Sequence, residues 1–131
     1  MEKVTIHSGT QIRLKRVREE TVPKPFLDRL RAFAHREESI QALYLFALEI
    51  PGRGEQISIA LGLGKSLFRR RDDEFMRLVS EIQLMLPEDF PVNLYRLEAS
   101  PQVGRYCLAN LEPVYLRSAA WRDRMLRKLG G

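Results

Sequence analysis

Apolar positions are densest between Ile40 and Ile50, where Ile-Gln-Ala-Leu-Tyr-Leu-Phe-Ala-Leu-Glu-Ile runs almost without polar interruption. Read as a strand, this stretch points Leu43, Leu45 and Ala47 to one side and Ala42, Tyr44, Phe46 and Leu48 to the other. A strand apolar on both faces needs a cover on each, so it belongs inside a sheet. A helix is the competing reading. The aromatic content and the Pro51-Gly52 stop favour the strand.

The rest of the chain supplies neighbours and covers. Val4 and Ile6, then Ile12 and Leu14, alternate on either side of Ser8-Gly9-Thr10, which reads as a short hairpin or one strand with a frayed lead-in. Residues 18–24 read as a loop. Pro25 suits the first position of a helix, and Phe26, Leu27, Leu30, Phe33 and Ala34 form its apolar stripe to about Glu37 or Glu38. After the Pro51–Glu55 turn, Ile57, Ile59, Leu61 and Leu63 alternate with Ser58, Ala60, Gly62 and Gly64. That is a half-buried strand with one face of small residues, on which something can pack closely. Asp72 or Asp73 can cap the next helix, with a stripe of Phe75, Met76, Val79, Ile82 and Leu86, stopped by Pro87 and Pro91. Val92 to Leu97 reads as the last strand. Ser100-Pro101 opens a less regular stretch that holds Tyr106, Cys107, Leu108, Leu111, Pro113, Val114 and Tyr115. Ser118 caps a final helix in which Trp121, Met125 and Leu129 recur at i, i+4 and i+8.

From Gln11 to Leu97 the order is β-α-β-β-α-β, that of the split βαβ or ferredoxin-like unit. The expectation is an α+β domain with both helices on one face of a largely antiparallel sheet, and a C-terminal helical extension able to cover the other. The chain reads as a single domain over 1–131, with a core of about 10–117 and a C-terminal helix over 118–129. There is no internal repeat, low-complexity tract or linker.

Composition narrows the classes further. The 131 residues are 44 % apolar and 30 % charged, ordinary for a globular domain. A single cysteine, Cys107, rules out an intramolecular disulfide and suits a reducing compartment. No apolar run reaches the roughly 20 residues of a membrane helix, and the start lacks the apolar core of a signal peptide. A cytoplasmic location follows as the expectation. The net charge is +5. Arg69-Arg70-Arg71 is followed by Asp72-Asp73-Glu74, so that run cancels itself. The excess sits near the ends: Arg13, Lys15, Arg16 and Arg18, then Arg117, Arg122, Arg124, Arg127 and Lys128. Solvated faces are the first reading of such runs.

Candidate chemistry is sparse. Gly62-Leu63-Gly64-Lys65-Ser66 ends like a phosphate-cradling P-loop, but the glycine required five positions before Gly64 is Ile59. Gly62, Gly64, Lys65 and Ser66 thus form only a weak ligand-loop candidate. His7 and His35 are the only histidines and share no ligand spacing with each other or with Cys107, so no metal site is expected. Cys107 among Tyr106, Leu108 and Leu111 reads as a small core residue rather than a nucleophile. Glu49, Glu55, Glu88 and Asp89 sit in or beside turns without the spacing of an acid–base pair. Tyr44, Phe46 and Tyr95 could stack RNA bases if the sheet face were open, but Ile57 to Leu63 lacks the aromatics of an RNA-recognition strand. The sequence therefore points to a non-enzyme without catalytic residues or cofactor, acting by protein contact. Tyr106, Tyr115, Arg117, Trp121 and Arg124 are the candidate surface, because aromatics and arginine anchor interfaces. A small-molecule or nucleotide-binding regulatory domain is the alternative, and RNA binding stands third. The partner is unidentified, and a homodimer stays open.

An ordered set of segments resembles a known family. These are FLDRLRAF (Phe26 to Phe33), ALYLFALE (Ala42 to Glu49), ISIALGLG (Ile57 to Gly64), LPEDFPVNLYRL (Leu86 to Leu97) and YCLANLEPVYLR (Tyr106 to Arg117). Together with the ending Glu112-Pro113-x-Tyr115, this is similar to the C-terminal domain of the enhanced serine sensitivity protein of bacteria, SseB. The resemblance runs from about Thr10 to Arg117. Longer members carry another SseB-type domain ahead of this one, for which this sequence has no counterpart. The resemblance implies a bacterial cytoplasmic α+β domain, possible involvement in serine tolerance, and no established catalytic residues to carry over.

Overall fold

The computed structural model describes residues 2–6, 10–64 and 70–129, with side chains from residue 12 onward. Strands β1 (Glu2–Ile6) and β2 (Thr10–Arg16) form the expected hairpin. Helix α1 (Lys24–Arg36) follows, with Pro25 in its first turn. Then come β3 (Ile40–Ile50), β4 (Gly54–Leu63), α2 (Arg71–Met85), β5 (Asn93–Arg96), α3 (Pro101–Asn110), β6 (Tyr115–Leu116) and α4 (Ala119–Lys128). The chain is α+β, and its described residues form six strands in one mixed sheet and four α-helices.

The apolar stretch is the strand at the sheet's centre. Every residue from Ala42 to Leu48 is buried. β4 pairs antiparallel along the whole of β3, from Ile40↔Leu63 to Ile50↔Gly54. The other edge of β3 is shared end to end by β2, over Phe46 to Glu49, and by β6, at Ala42 and Leu43. A register shift between Ile40 and Ala42 bulges the strand and turns Ile40 toward the face of Leu43 and Leu45.

The pairing departs from the ferredoxin-like expectation. A split βαβ unit keeps its first two strands parallel, with another inserted between them. Here β2 and β3 are antiparallel neighbours, the spatial order β1-β2-β3-β4-β5 follows the chain, and only β4 with β5 is parallel. Element order along a chain does not encode which strand pairs with which, and the pattern was equally compatible with this sequential sheet.

Both faces of the sheet are covered. Phe26, Leu27, Leu30 and Phe33 of α1 and Leu78 and Ile82 of α2 pack on Leu43, Leu45, Ile59, Leu61 and Leu63. Opposite, Val103, Tyr106, Cys107 and Leu108 of α3 and Trp121 and Met125 of α4 pack on Tyr44, Phe46, Leu48 and Ala60. The cover expected from the C-terminal segment is therefore present.

Three local readings are corrected. The stretch after Ser100 is a regular helix: the Ser100 hydroxyl accepts from the Val103 N–H at 3.3 Å, and Pro101 opens the first turn. In α2 the buried positions are Glu74, Leu78 and Ile82, whereas Met76 faces outward. Leu78 and Ile82, four residues apart, carry the buried face, and Arg77 beside it holds Glu37 beyond α1 at 2.8 Å and Glu74 at 2.7 Å. The N-cap is Arg70, with no side-chain cap bond. Asp72 and Asp73 lie inside the first turn, where negative charge suits the helix dipole.

Candidate functional site

The small-residue face of β4 is filled from within. The indole of Trp121 lies on Gly62, and a Cβ there would stand 2.8 Å from ring atom Cζ2. The Ser118 hydroxyl starts α4 by accepting from the Trp121 N–H at 3.3 Å, which places that ring at the first turn. Gly64 is backed by the Gln41 side chain, 2.8 Å from where a Cβ would sit. Gly62 therefore belongs to a covered strand, not to an open phosphate loop. Lys65 and Ser66 lie outside the described residues, as does His7.

Several basic residues near the C-terminus are engaged with backbone carbonyls. Arg117 donates through Nη2 to the carbonyls of Ala34, His35 and Glu37 at 2.8, 3.1 and 3.2 Å, and through Nε to that of Ile40 at 3.0 Å. Arg122 donates to the carbonyls of Leu108 and Leu111 at 3.2 and 3.3 Å, closing the end of α3. Arg105 donates to that of Leu129 just past α4 at 3.2 Å. Carbonyls at a helix end lack intrahelical partners and carry partial negative charge, so a guanidinium fork satisfies both needs.

Of the five surface candidates, Tyr106 and Trp121 are buried, 4 % and 6 % exposed. Tyr115 is half-buried, with the Arg117 guanidinium 5.6 Å from its ring centre. Arg117 itself clasps the end of α1, and Arg124 is exposed. The structure does not bring the five together as one open patch. The RNA platform is closed as well: Tyr44 and Phe46 are fully buried beneath α3 and α4, and Tyr95 packs on Phe46 with ring centres 6.2 Å apart.

The titratable groups are arranged for packing. Burial pushes the Cys107 thiol far above its ordinary range, away from nucleophilic thiolate. Burial likewise pushes the Tyr44 hydroxyl up to about 12, and that oxygen has no hydrogen-bond partner. Glu49 and Glu55, facing each other across β3 and β4, are both held by Lys15, at 2.8 and 3.1 Å. The hydrogen bond from Lys15 lowers the Glu49 carboxyl, so it is not a proton-holding acid. Among the described residues no group of three or more histidine, cysteine or acidic side chains could hold a metal ion. No helix among them is long and apolar enough to cross a membrane.

A mixed sheet buried on both faces, with Arg105, Arg117 and Arg122 donating to carbonyls at or near helix ends, defines a packed α+β domain rather than a barrel or an open nucleotide-binding sheet. Residues 6–117 match the SseB protein C-terminal domain, and the chain belongs to that family. No curated protein and no solved structure matches it.

Proposed function

We propose that this domain is non-catalytic and works by contacting another protein through the outer side of α2. The observation that carries this reading is the exposure of Met76 and Leu84, at 59 % and 83 %, the two large hydrophobic side chains left open among the described residues. They lie about 12 Å apart along the helix axis, with Ser80 between them. Exposed apolar side chains presented on a rigid element are what a partner helix or loop can bury. α2 is rigidly presented: Arg77 ties it to Glu37, Arg71 to Glu98 at 2.8 Å, and Asp72 to Arg96. This moves the contact away from the C-terminal segment, whose aromatics are largely occupied. The bacterial setting and the link to serine tolerance belong to the same reading and rest on the family resemblance.

The test is a photo-crosslinking amino acid placed at Leu84 in cells that make the protein, with Arg124 as the comparison position. A discrete adduct from position 84, absent from 124 and lost with Met76→Asp, supports the reading. No adduct, or the same adduct from both positions, rejects it.

A further inference from the structure

Sulfur is unevenly placed in this chain. Of the four methionines, Met1 lies outside the described residues. Met125 is buried in the α3/α4 core, and Met85 is half-buried against the α1/α2 core. Cys107 is fully buried. Met76 is the described sulfur side chain that stands open, and it does so on the outer side of α2.

Access decides which of these sulfurs an oxidant reaches. A thioether reacts without losing a proton, so its rate follows exposure. A thiol reacts as the thiolate, and burial keeps Cys107 as the thiol. Ser80, one turn beyond Met76, is small and exposed, and its hydroxyl donates back to the Met76 carbonyl at 3.1 Å. It therefore lies along the helix rather than over the thioether. Met76 is also one of the two apolar side chains on which the α2 contact depends.

We propose that Met76 is an oxidation site, and that its conversion to the sulfoxide by hydrogen peroxide switches off the α2 contact. This rests on the reading of α2 as the contact surface. The sulfur lone pair takes one oxygen from the peroxide: an S–O bond forms, the O–O bond breaks, and the departing hydroxide takes up the remaining proton as water. Sulfur loses two electrons and the peroxide gains them. The product carries a strongly polar S–O group where an apolar surface must close, and burying that group without a hydrogen-bond donor opposes association. Helix α2 itself stays docked, because Leu78 and Ile82 on its opposite side hold it to the core.

The test has two arms. The purified full chain is treated with hydrogen peroxide and its peptides are followed by mass spectrometry. Met76 should gain one oxygen about tenfold faster than Met125, with Met85 between them. The same chain, carrying a photo-crosslinking amino acid at Leu84, is then irradiated in lysate of the cells that make it. Three states are compared: reduced, oxidised with the peroxide removed, and oxidised then repaired with methionine sulfoxide reductases. The adduct should fall about tenfold on oxidation and return on repair, and in Met76→Leu peroxide should not change it. Met85 or Met125 oxidising as fast as Met76 overturns the proposal. So does an adduct that survives oxidation, a fall that repair does not reverse, or the same fall in Met76→Leu, and each of these leaves the α2 reading standing. No adduct even from the reduced chain removes the α2 reading and the switch with it.

Discussion

The two faces of the sheet are equally dry but are closed by different means. The α1/α2 face is aliphatic and phenyl at its centre, where Leu30, Leu43, Ile59, Leu61, Leu78 and Ile82 are all essentially inaccessible, and the buried charge of α2, Glu74, is held by Arg77 at 2.7 Å. The α3/α4 face mixes very large and very small. Trp121 lies on Gly62, and Leu129 reaches to 2.8 Å from where a Cβ on Gly104 would be. It also encloses the polar atoms of Tyr44, Tyr106 and Cys107. A uniform aliphatic face can absorb volume changes by repacking, whereas a face built on one ring over one glycine depends on that pair. The first kind of face is visible as periodicity. The second is visible only as an unexplained run of small residues.

Substitutions can sharpen or break this contrast. The largest effect is expected for Trp121→Ala, a loss of about 3–5 kcal/mol in urea unfolding, because it removes the ring that covers Gly62 and leaves a cavity there. A loss under about 1 kcal/mol would mean that α4 is a loose cover and that the contrast is false. Leu30→Ala on the other face should cost about 2–5 kcal/mol by the same measurement, at the lower end if neighbouring aliphatic side chains relax inward. Arg117→Ala should cost about 1–2 kcal/mol, since it frees carbonyls at the end of α1. Arg117→Lys should recover only part of this, because an ammonium cannot reproduce the fork.

Tyr44→Phe should be the mildest, within about 1 kcal/mol of the parent at neutral pH, since the removed hydroxyl has no partner. Its signature lies in the pH profile. The folded-state value is raised from 10.0 to about 12, so the native protein holds a proton that the unfolded chain has already released. The contribution of Tyr44 is therefore complete below pH 10 and is lost as pH rises toward 12. Unfolding of the parent and of Tyr44→Phe, compared across that window, should show the steeper decline in the parent. Parallel curves would contradict the assignment.

How much of this was legible in the sequence varied with the physics involved. β3 and α1 follow from periodicity alone, because burial on one or two faces dictates where apolar residues recur. The close packing on Ser58, Ala60 and Gly62 was legible as a demand, though the ring that meets it comes from 59 residues further on in the chain. α3 was missed, although Ser100-Pro101 and Val103, Cys107 and Leu111 at four-residue spacing are signals for it that outweigh Gly104, which lowers helix propensity. The rotation of α2 was misread because Phe75, Met76 and Val79 compete as an apolar stripe with Leu78 and Ile82, the pair that is buried, so periodicity did not single out one face. Strand order was not legible either. For the candidate surface, Arg117 and Trp121 carry the residue types of an interface, yet both serve the fold. Only burial and hydrogen bonding separate the two roles.

The ring over Gly62 also bears on where the domain ends. The pattern common to the family is matched as far as Arg117, and α4 starts two residues later. A fragment cut at that boundary would keep all six strands and three of the four helices, yet leave an aromatic-sized slot open along β4. The unit that is recognisable by sequence is thus shorter than the unit that closes its own core. Expression trials guided by the shorter one should yield a sticky protein, whereas the chain through Leu129 stays monodisperse.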